Sequence, residues 1–229
     1  DAVSLINTIN SITSVDLERM VALPVVGSQS THGGYCGSAV KPIALNMVAE
    51  IARDPLTKGL PICGIGGIGS WRDAAEFIAL GCGSVQVCTA AMLHGFRIVE
   101  EMKDGLSRWM DSQGYTSLDD FSGRAVGNTT DWKYLDINYQ VIAKIDQDAC
   151  IGCGRCHIAC EDTSHQAISS VKLANGTHRY EVIDDECVGC NLCQITCPVA
   201  DCIEMVPHNN GLPFLDWNHD PRNPYRVAS

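Results

Sequence analysis

Apolar positions follow two rhythms along residues 1–114. Val3-Ser4-Leu5-Ile6 reads as a buried strand that ends at Asn7-Thr8. Residues 39–54 (AVKPIALNMVAEIARD) carry apolar groups at helical spacing, and Pro42 is tolerated in a first turn, where its missing N–H has no partner to lose. Pro61–Ile65 reads as a short strand closed by glycines, and Ser70 as the N-cap of a helix, WRDAAEFIAL, that stops at Gly81. Ser84–Cys88 is the next strand, and a long helix runs from about Gly95 to Gly114. Strands separated by helical stretches predict parallel βαβ units. Three are visible, against the eight of a TIM barrel of typically ~250 residues. The segment therefore either begins inside a larger barrel or builds a small open sheet.

Residues 115–148 break this rhythm with the turn-rich YTSLDDFSGRAVGN and an apolar stretch near LDINYQVIAKI. They are expected to connect two domains. Residues 149–206 form a cysteine-rich domain. Residues 207–229, rich in Pro and Asn, read as an extended tail whose Phe214, Trp217 and Tyr225 lie on a surface.

Composition narrows the function classes. Apolar residues make up 45% and charged residues 19%, enough for a packed core and too apolar for wholesale disorder. Net charge is −11; both parts share it, with 11 basic and 17 acidic residues before Cys150 and five and ten from there on. That argues against a nucleic-acid-binding surface. No apolar run approaches the ~18–20 residues of a membrane span, and no signal-peptide pattern opens the chain. Nine of the 13 cysteines fall between Cys150 and Cys202. Tight C-x-x-C runs point to metal in a reducing compartment, so a cytoplasmic protein is expected; an exported chain that has lost its signal is the alternative.

The cysteines form an internal repeat. Cys150-x2-Cys153-x2-Cys156-x3-Cys160 is followed by Cys187-x2-Cys190-x2-Cys193-x3-Cys197-Pro198. Three thiolates at i, i+3 and i+6 reach three irons of a cubane, and the fourth cysteine of each run ligates the other cluster in two-cluster ferredoxins. Cys150, Cys153, Cys156 and Cys197 are thus assigned to one 4Fe–4S cluster, and Cys187, Cys190, Cys193 and Cys160 to the other. Structural zinc prefers pairs of C-x2–4-C ligands over triplets plus one. Gly152, Gly154 and Gly189 let backbone amides turn toward the sulfurs. Cys202 reads as a buried spectator thiol, and His157 is not needed as a ligand. The first run ends Cys160-Glu161 where the second has Cys-Pro.

The glycine loops leave more open. Gly64-x-Gly66-x-x-Gly69 matches the dinucleotide fingerprint literally, but the next strand ends Val87-Cys88-Thr89 without the carboxylate that fingerprint requires. A barrel phosphate site fits better, with Gly66-Gly67 and Cys88-Thr89 supplying backbone amides and one hydroxyl. Glycines used only for tight strand–helix turns are the alternative. Thr31–Ser38 is also glycine-rich and is expected on the same side of the sheet. Asn7, at a strand end on that side, offers both a donor and an acceptor to the edge of a lactam or pyrimidine base; turn formation is its ordinary use.

INT at 6–8, STHGGYCGSAVKPIAL at 30–45, PICGIGGI at 61–68 and VQVCTAAM at 85–92 resemble the C-terminal part of the flavin barrel of the dihydropyrimidine dehydrogenase family. CEDTSHQAI at 160–168 and CPVADCIEMV at 197–206 resemble the ferredoxin domain fused behind that barrel. The resemblance implies an α/β fold: the C-terminal part of a TIM (β/α)8 FMN barrel, followed by an α+β two-cluster ferredoxin-like domain. It implies FMN and two 4Fe–4S clusters, with Asn7 and Thr8 on the pyrimidine and Gly37, Ile65, Gly66, Gly67, Cys88 and Thr89 around the FMN. Position 65 departs from the mammalian members, which carry threonine there. The family's five earlier strands, its catalytic cysteine and a lysine near the flavin have no counterpart here; none of Cys36, Cys63, Cys82 and Cys88 matches the catalytic position.

The implied function is a fragment of an oxidoreductase of pyrimidine catabolism that reduces uracil or thymine to the 5,6-dihydropyrimidine. Electrons would come from NADH through an FAD-bearing partner subunit and the two clusters to FMN. Its expected partners are that subunit, a complementary N-terminal barrel half or the rest of the same chain, and the pyrimidine, within a hetero-oligomer. A ferredoxin-type carrier on a non-catalytic scaffold, or a dihydroorotate dehydrogenase-type enzyme, is the alternative.

Overall fold

The structure, a computed structural model, describes residues 1–163 and 165–226. The chain divides into two compact units, Asp1–Thr130 and Asp131–Ser229. The expected connector, 115–148, is shared between them. Its first half stays with the first unit because Phe121 is buried against Ala75 and Ile78, with Trp109 and Tyr115 packed on its ring. Its second half contains a strand of the second unit.

In the first unit, β1 (Val3–Leu5) leads into antiparallel ribbons: β2 (Ile9–Ser11), β3 (Ser14–Asp16), β4 (Val21–Leu23), β5 (Val25–Val26), β6 (Gln29–Ser30) and β7 (Gly33–Tyr35). They pair β2 with β7, β3 with β4 and β5 with β6. This excursion was not anticipated; its strands are two or three residues long, too short for a hydrophobic period to register. After it come α1 (Lys41–Arg53), β8 (Ile62–Ile65), α2 (Trp71–Ala79), β9 (Cys82–Gln86), α3 (Thr89–His94) and α4 (Ile98–Gln113). The sheet is parallel, in the order β1-β8-β9, as the three βα units predict.

Local chemistry accounts for these boundaries. Pro42 sits in the first turn of α1, the Ser70 hydroxyl accepts from the Asp73 N–H to cap α2, and Gly114 ends α4 in the left-handed conformation. Val40, Ala44 and Val48 meet Ile62, Phe77 and Cys82 in the core that seats the helices on the sheet. Burial pushes the Cys82 thiol up to about 11, so it is neutral packing matter. Among the described residues β1 and β9 are edge strands, each with one neighbour in that sheet.

The second unit holds β10 (Gln140–Ile145), α5 (Arg155–Asp162), β11 (Ile168–Lys172), β12 (His178–Val182), α6 (Leu192–Thr196) and β13 (Ile203–His208). β10 pairs antiparallel with β13 across six residues, and β11 with β12 across five. A shift of 37 residues, Cys150 to Cys187, carries the first half onto the second and exchanges the members of these pairings. The Cys-Pro difference also acquires a cause: Pro198 cannot continue a helix, and α6 stops at Thr196, whereas α5 runs on past Cys160 to Asp162. The tail, expected to lie extended, folds back on its own unit. Ile137 N–H donates to Leu215 O (2.8 Å), Trp217 N–H to Lys133 O (3.1 Å), and the Trp132 and Trp217 rings stand 6.0 Å apart. Phe214 and Tyr225 remain exposed. Residues 227–229 of the predicted tail lie outside the described residues.

Candidate functional site

The first unit carries a cleft of about 470 Å³, within the usual range of small-molecule sites. It lies where loops leave the C-terminal ends of the parallel strands. Asn7, Thr8, Gly37, Ile65, Gly66, Gly67, Cys88 and Thr89 all line it. The structure thus brings together in one cleft every first-unit residue expected to meet flavin or pyrimidine. Thr8 also has a packing duty: a Cβ on Gly34 would fall 2.6 Å from its hydroxyl.

The glycines here are partly explained without a ligand. Gly67 has φ +76°, and a Cβ on it would lie 2.8 Å from Gly37 O and 2.9 Å from Lys41 N. Glycine therefore lets the Ile65–Gly69 loop close onto the start of α1. Lys41 fastens the same junction. Its ammonium donates to Asp73 Oδ1 (2.5 Å) and Glu76 Oε2 (2.9 Å), while Asp73 Oδ2 accepts from Gly69 N–H (3.0 Å) and the Ser70 hydroxyl (2.8 Å). The bonds to Asp73 and Glu76 raise the Lys41 pKa; burial opposes ionisation of Asp73, but the bonds from Lys41, Ser70 and Gly69 outweigh it and hold the carboxyl below its ordinary value. Sequence reasoning missed this clamp, because a lysine 32 residues from its carboxylate leaves no spacing signal.

Gln86, Gln86 Nε2 donates to Ser4 Oγ (3.2 Å) and Cys63 Sγ (3.1 Å), linking all three strands on one face of the sheet. The Thr89 hydroxyl donates to Cys36 Sγ (3.4 Å). Alternation along β9 puts Gln86 beside Val85 on opposite faces, the one signal that could have found it.

In the second unit the cysteines sort into two cavities. Cys150, Cys153, Cys156 and Cys197 line one; Cys160, Cys187, Cys190 and Cys193 line the other. Each cavity thus takes three thiols from one run and the fourth from the other. Among the described residues no three Cys, His, Asp or Glu side chains are gathered as a single metal ion requires. Thiols spread around a cavity suit a cubane, whose four irons each take one, better than a zinc ion with all four at ~2.3 Å. The turns that spread them use Gly152 (φ +67°), Gly154 (φ +75°), Gly189 (φ +68°) and Asn191 (φ +65°). Burial raises the Cys156 and Cys193 thiols, the latter to about 11, so loading with iron must displace protons held more tightly than on a free cysteine.

Neighbours complete these cavities. Ala167 N–H donates to Cys160 Sγ (3.3 Å). His157 Nδ1 is 2.6 Å from Ile168 O, a structural bond consistent with its exclusion as a ligand. Cys202 is buried at the first cavity; burial, then the adjacent Cys197 and Cys150 thiols, push its own up to about 12.

Residues 1–110 match the dihydroorotate dehydrogenase family, and residues 143–205 match the 4Fe-4S dicluster domain. Together these matches define the class as the iron–sulfur flavin dehydrogenases, whose cofactors are FMN and two 4Fe–4S clusters. In particular, the chain is 45% identical over 168 residues to the NAD-dependent dihydropyrimidine dehydrogenase subunit PreA of Escherichia coli, a match covering 73% of this chain and 41% of that protein. It is 37% identical over 126 residues to the catalytic subunit of dihydroorotate dehydrogenase B (NAD(+)) of Thermococcus kodakarensis, covering 55% and 39%. It is 36% identical over 129 residues to the chloroplastic dihydropyrimidine dehydrogenase (NADP(+)) of Arabidopsis thaliana, covering 55% and 30%. The chain spans about two fifths or less of the length of these relatives. No helix among the described residues is long and apolar enough to cross a membrane.

Proposed function

We propose that this chain is the C-terminal part of the FMN barrel, with the two-cluster relay, of a cytoplasmic NAD-dependent dihydropyrimidine dehydrogenase. Residues 1–114 supply its last βα units, 115–148 join them to the dicluster domain at 149–206, and 207–229 follow as a tail. Cys150, Cys153, Cys156 and Cys197 hold one cluster; Cys187, Cys190, Cys193 and Cys160 hold the other. Gly37, Ile65, Gly66, Gly67, Cys88 and Thr89 hold the flavin around its phosphate. Asn7 orients the pyrimidine, with Thr8 beside it. When bound, the clusters and FMN carry electrons from an NADH-oxidising, FAD-bearing partner subunit to uracil or thymine. This chain's own residues bind and orient; the acid that protonates the pyrimidine belongs to the barrel strands that precede residue 1 in the family, on the rest of the chain or a companion piece.

One observation carries the pyrimidine reading over the dihydroorotate one. A match of 168 residues cannot fit inside the 130-residue first unit, so likeness to the dihydropyrimidine dehydrogenase subunit runs on into the second. The test is an assembly with the barrel completed and the partner subunit present, given NADH and either uracil or orotate. Dihydrouracil formation is expected; turnover of orotate with uracil inert would contradict the reading.

A further inference from the structure

The 37-residue shift compares the two cysteine cavities position by position. Gly152 corresponds to Gly189, and a Cβ on either would meet the backbone carbonyl of the equivalent strand residue, His178 or Val141. The cavities differ where Gly154 corresponds to Asn191, and where Tyr180 of β12 corresponds to Ala143 of β10. At the first cavity Tyr180 fills the space beside Gly154, since a Cβ there would lie 2.6 Å from its hydroxyl. At the second, Ala143 leaves that space free and Asn191, which lines the cavity, brings a side-chain amide.

Among the described residues the Asn191 side-chain oxygen is the one buried side-chain polar atom without a hydrogen-bond partner. Its lining companions are the sulfurs of Cys160, Cys187, Cys190 and Cys193, which as thiolates accept and do not donate. An amide oxygen facing them is unsatisfied. The same side chain turned by half a revolution presents its NH2 group instead, and the two orientations are isosteric.

We propose that Asn191 donates a side-chain N–H to the sulfurs of the second cavity, and so separates the potentials of two clusters that otherwise have near-equivalent ligands. This rests on the cluster assignment proposed above. A donor to sulfur stabilises the reduced, more negative cluster and raises its potential. Asn191 is a tuning residue, not a ligand.

The test is anaerobic redox titration of the full chain followed by electron paramagnetic resonance, comparing the parent with Asn191→Gly and Asn191→Asp. Glycine keeps the left-handed backbone, as Gly154 does in the other half, so folding and cluster content should survive. The expected result is a shift of one cluster to more negative potential in both variants, larger for the aspartate, with the other cluster's signal and potential unmoved. If Asn191 serves only the backbone, Asn191→Gly leaves both potentials where they were, and the proposal fails while the cluster assignment stands. A parent chain without iron and sulfide would overturn the assignment and this proposal together.

Discussion

The two units solve the problem of building a redox site in opposite ways. The second gathers both four-cysteine sets from its own residues, within two copies of one 37-residue pattern. The first gathers its cleft from loops as far apart as Asn7 and His94, on a sheet whose described strands leave two edges. Met92, Leu93 and Phe96, at and just beyond the cleft-lining α3, are 73–86% exposed. Apolar side chains left open in this way beside unpaired edges mark a surface made to be covered. A cluster site can therefore be complete in a short segment, while a barrel site needs the whole barrel.

The largest effects should break the second unit's ligand sets. Cys156→Ala and Cys197→Ala should each remove the same cluster, leaving identical spectra for the survivor, and Cys160→Ala should remove the other. Paired losses of Cys197 with Cys193 instead would show that the fourth ligands do not cross. In the first unit, Gly67→Ala puts a Cβ against Gly37 O in a left-handed conformation. It should destabilise that unit by about 1–3 kcal/mol, read as a lower Tm for one transition, with iron content unchanged. Asn7→Ala, in an assembly with the barrel restored, should lower kcat/KM for uracil about tenfold to a hundredfold through a lost buried hydrogen bond of ~1–3 kcal/mol. FMN content should hold; loss of flavin with turnover intact would make Asn7 a flavin contact instead.

The smallest effect concerns the Lys41 clamp. The lowered Asp73 carboxyl contributes stability that is present above the ordinary carboxylate pKa and is lost as pH falls through its folded value; the raised Lys41 contributes below the ordinary ammonium pKa and loses it as pH rises through its own. Melting between pH 7 and 3 should fall more steeply for the parent than for Lys41→Met, by about 1 kcal/mol. Equal slopes would mean that the clamp adds nothing beyond packing.

How much could be read from residues alone follows from the same contrast. The cysteine runs carry their geometry in their spacing, so the composition of each four-cysteine cavity was readable before any fold was known. The parallel strands and the capped helices were also readable, because Ser70, Pro42 and Gly114 act within a few residues. The ribbons between β1 and α1 were not: two- and three-residue strands carry no period. Nor were Lys41 with Asp73, or Gln86 with Ser4 and Cys63, whose partners meet only once the sheet has formed. The tail misled for a related reason, since Pro and Asn mark turns locally but do not say that Trp217 will find Trp132.

The most direct test of the account is elemental. The chain, purified without oxygen, should contain eight irons and eight acid-labile sulfides, as two 4Fe–4S clusters require. Stoichiometric zinc with no sulfide would contradict it, because the two four-cysteine cavities would then be structural metal sites and no relay would stand behind the flavin cleft.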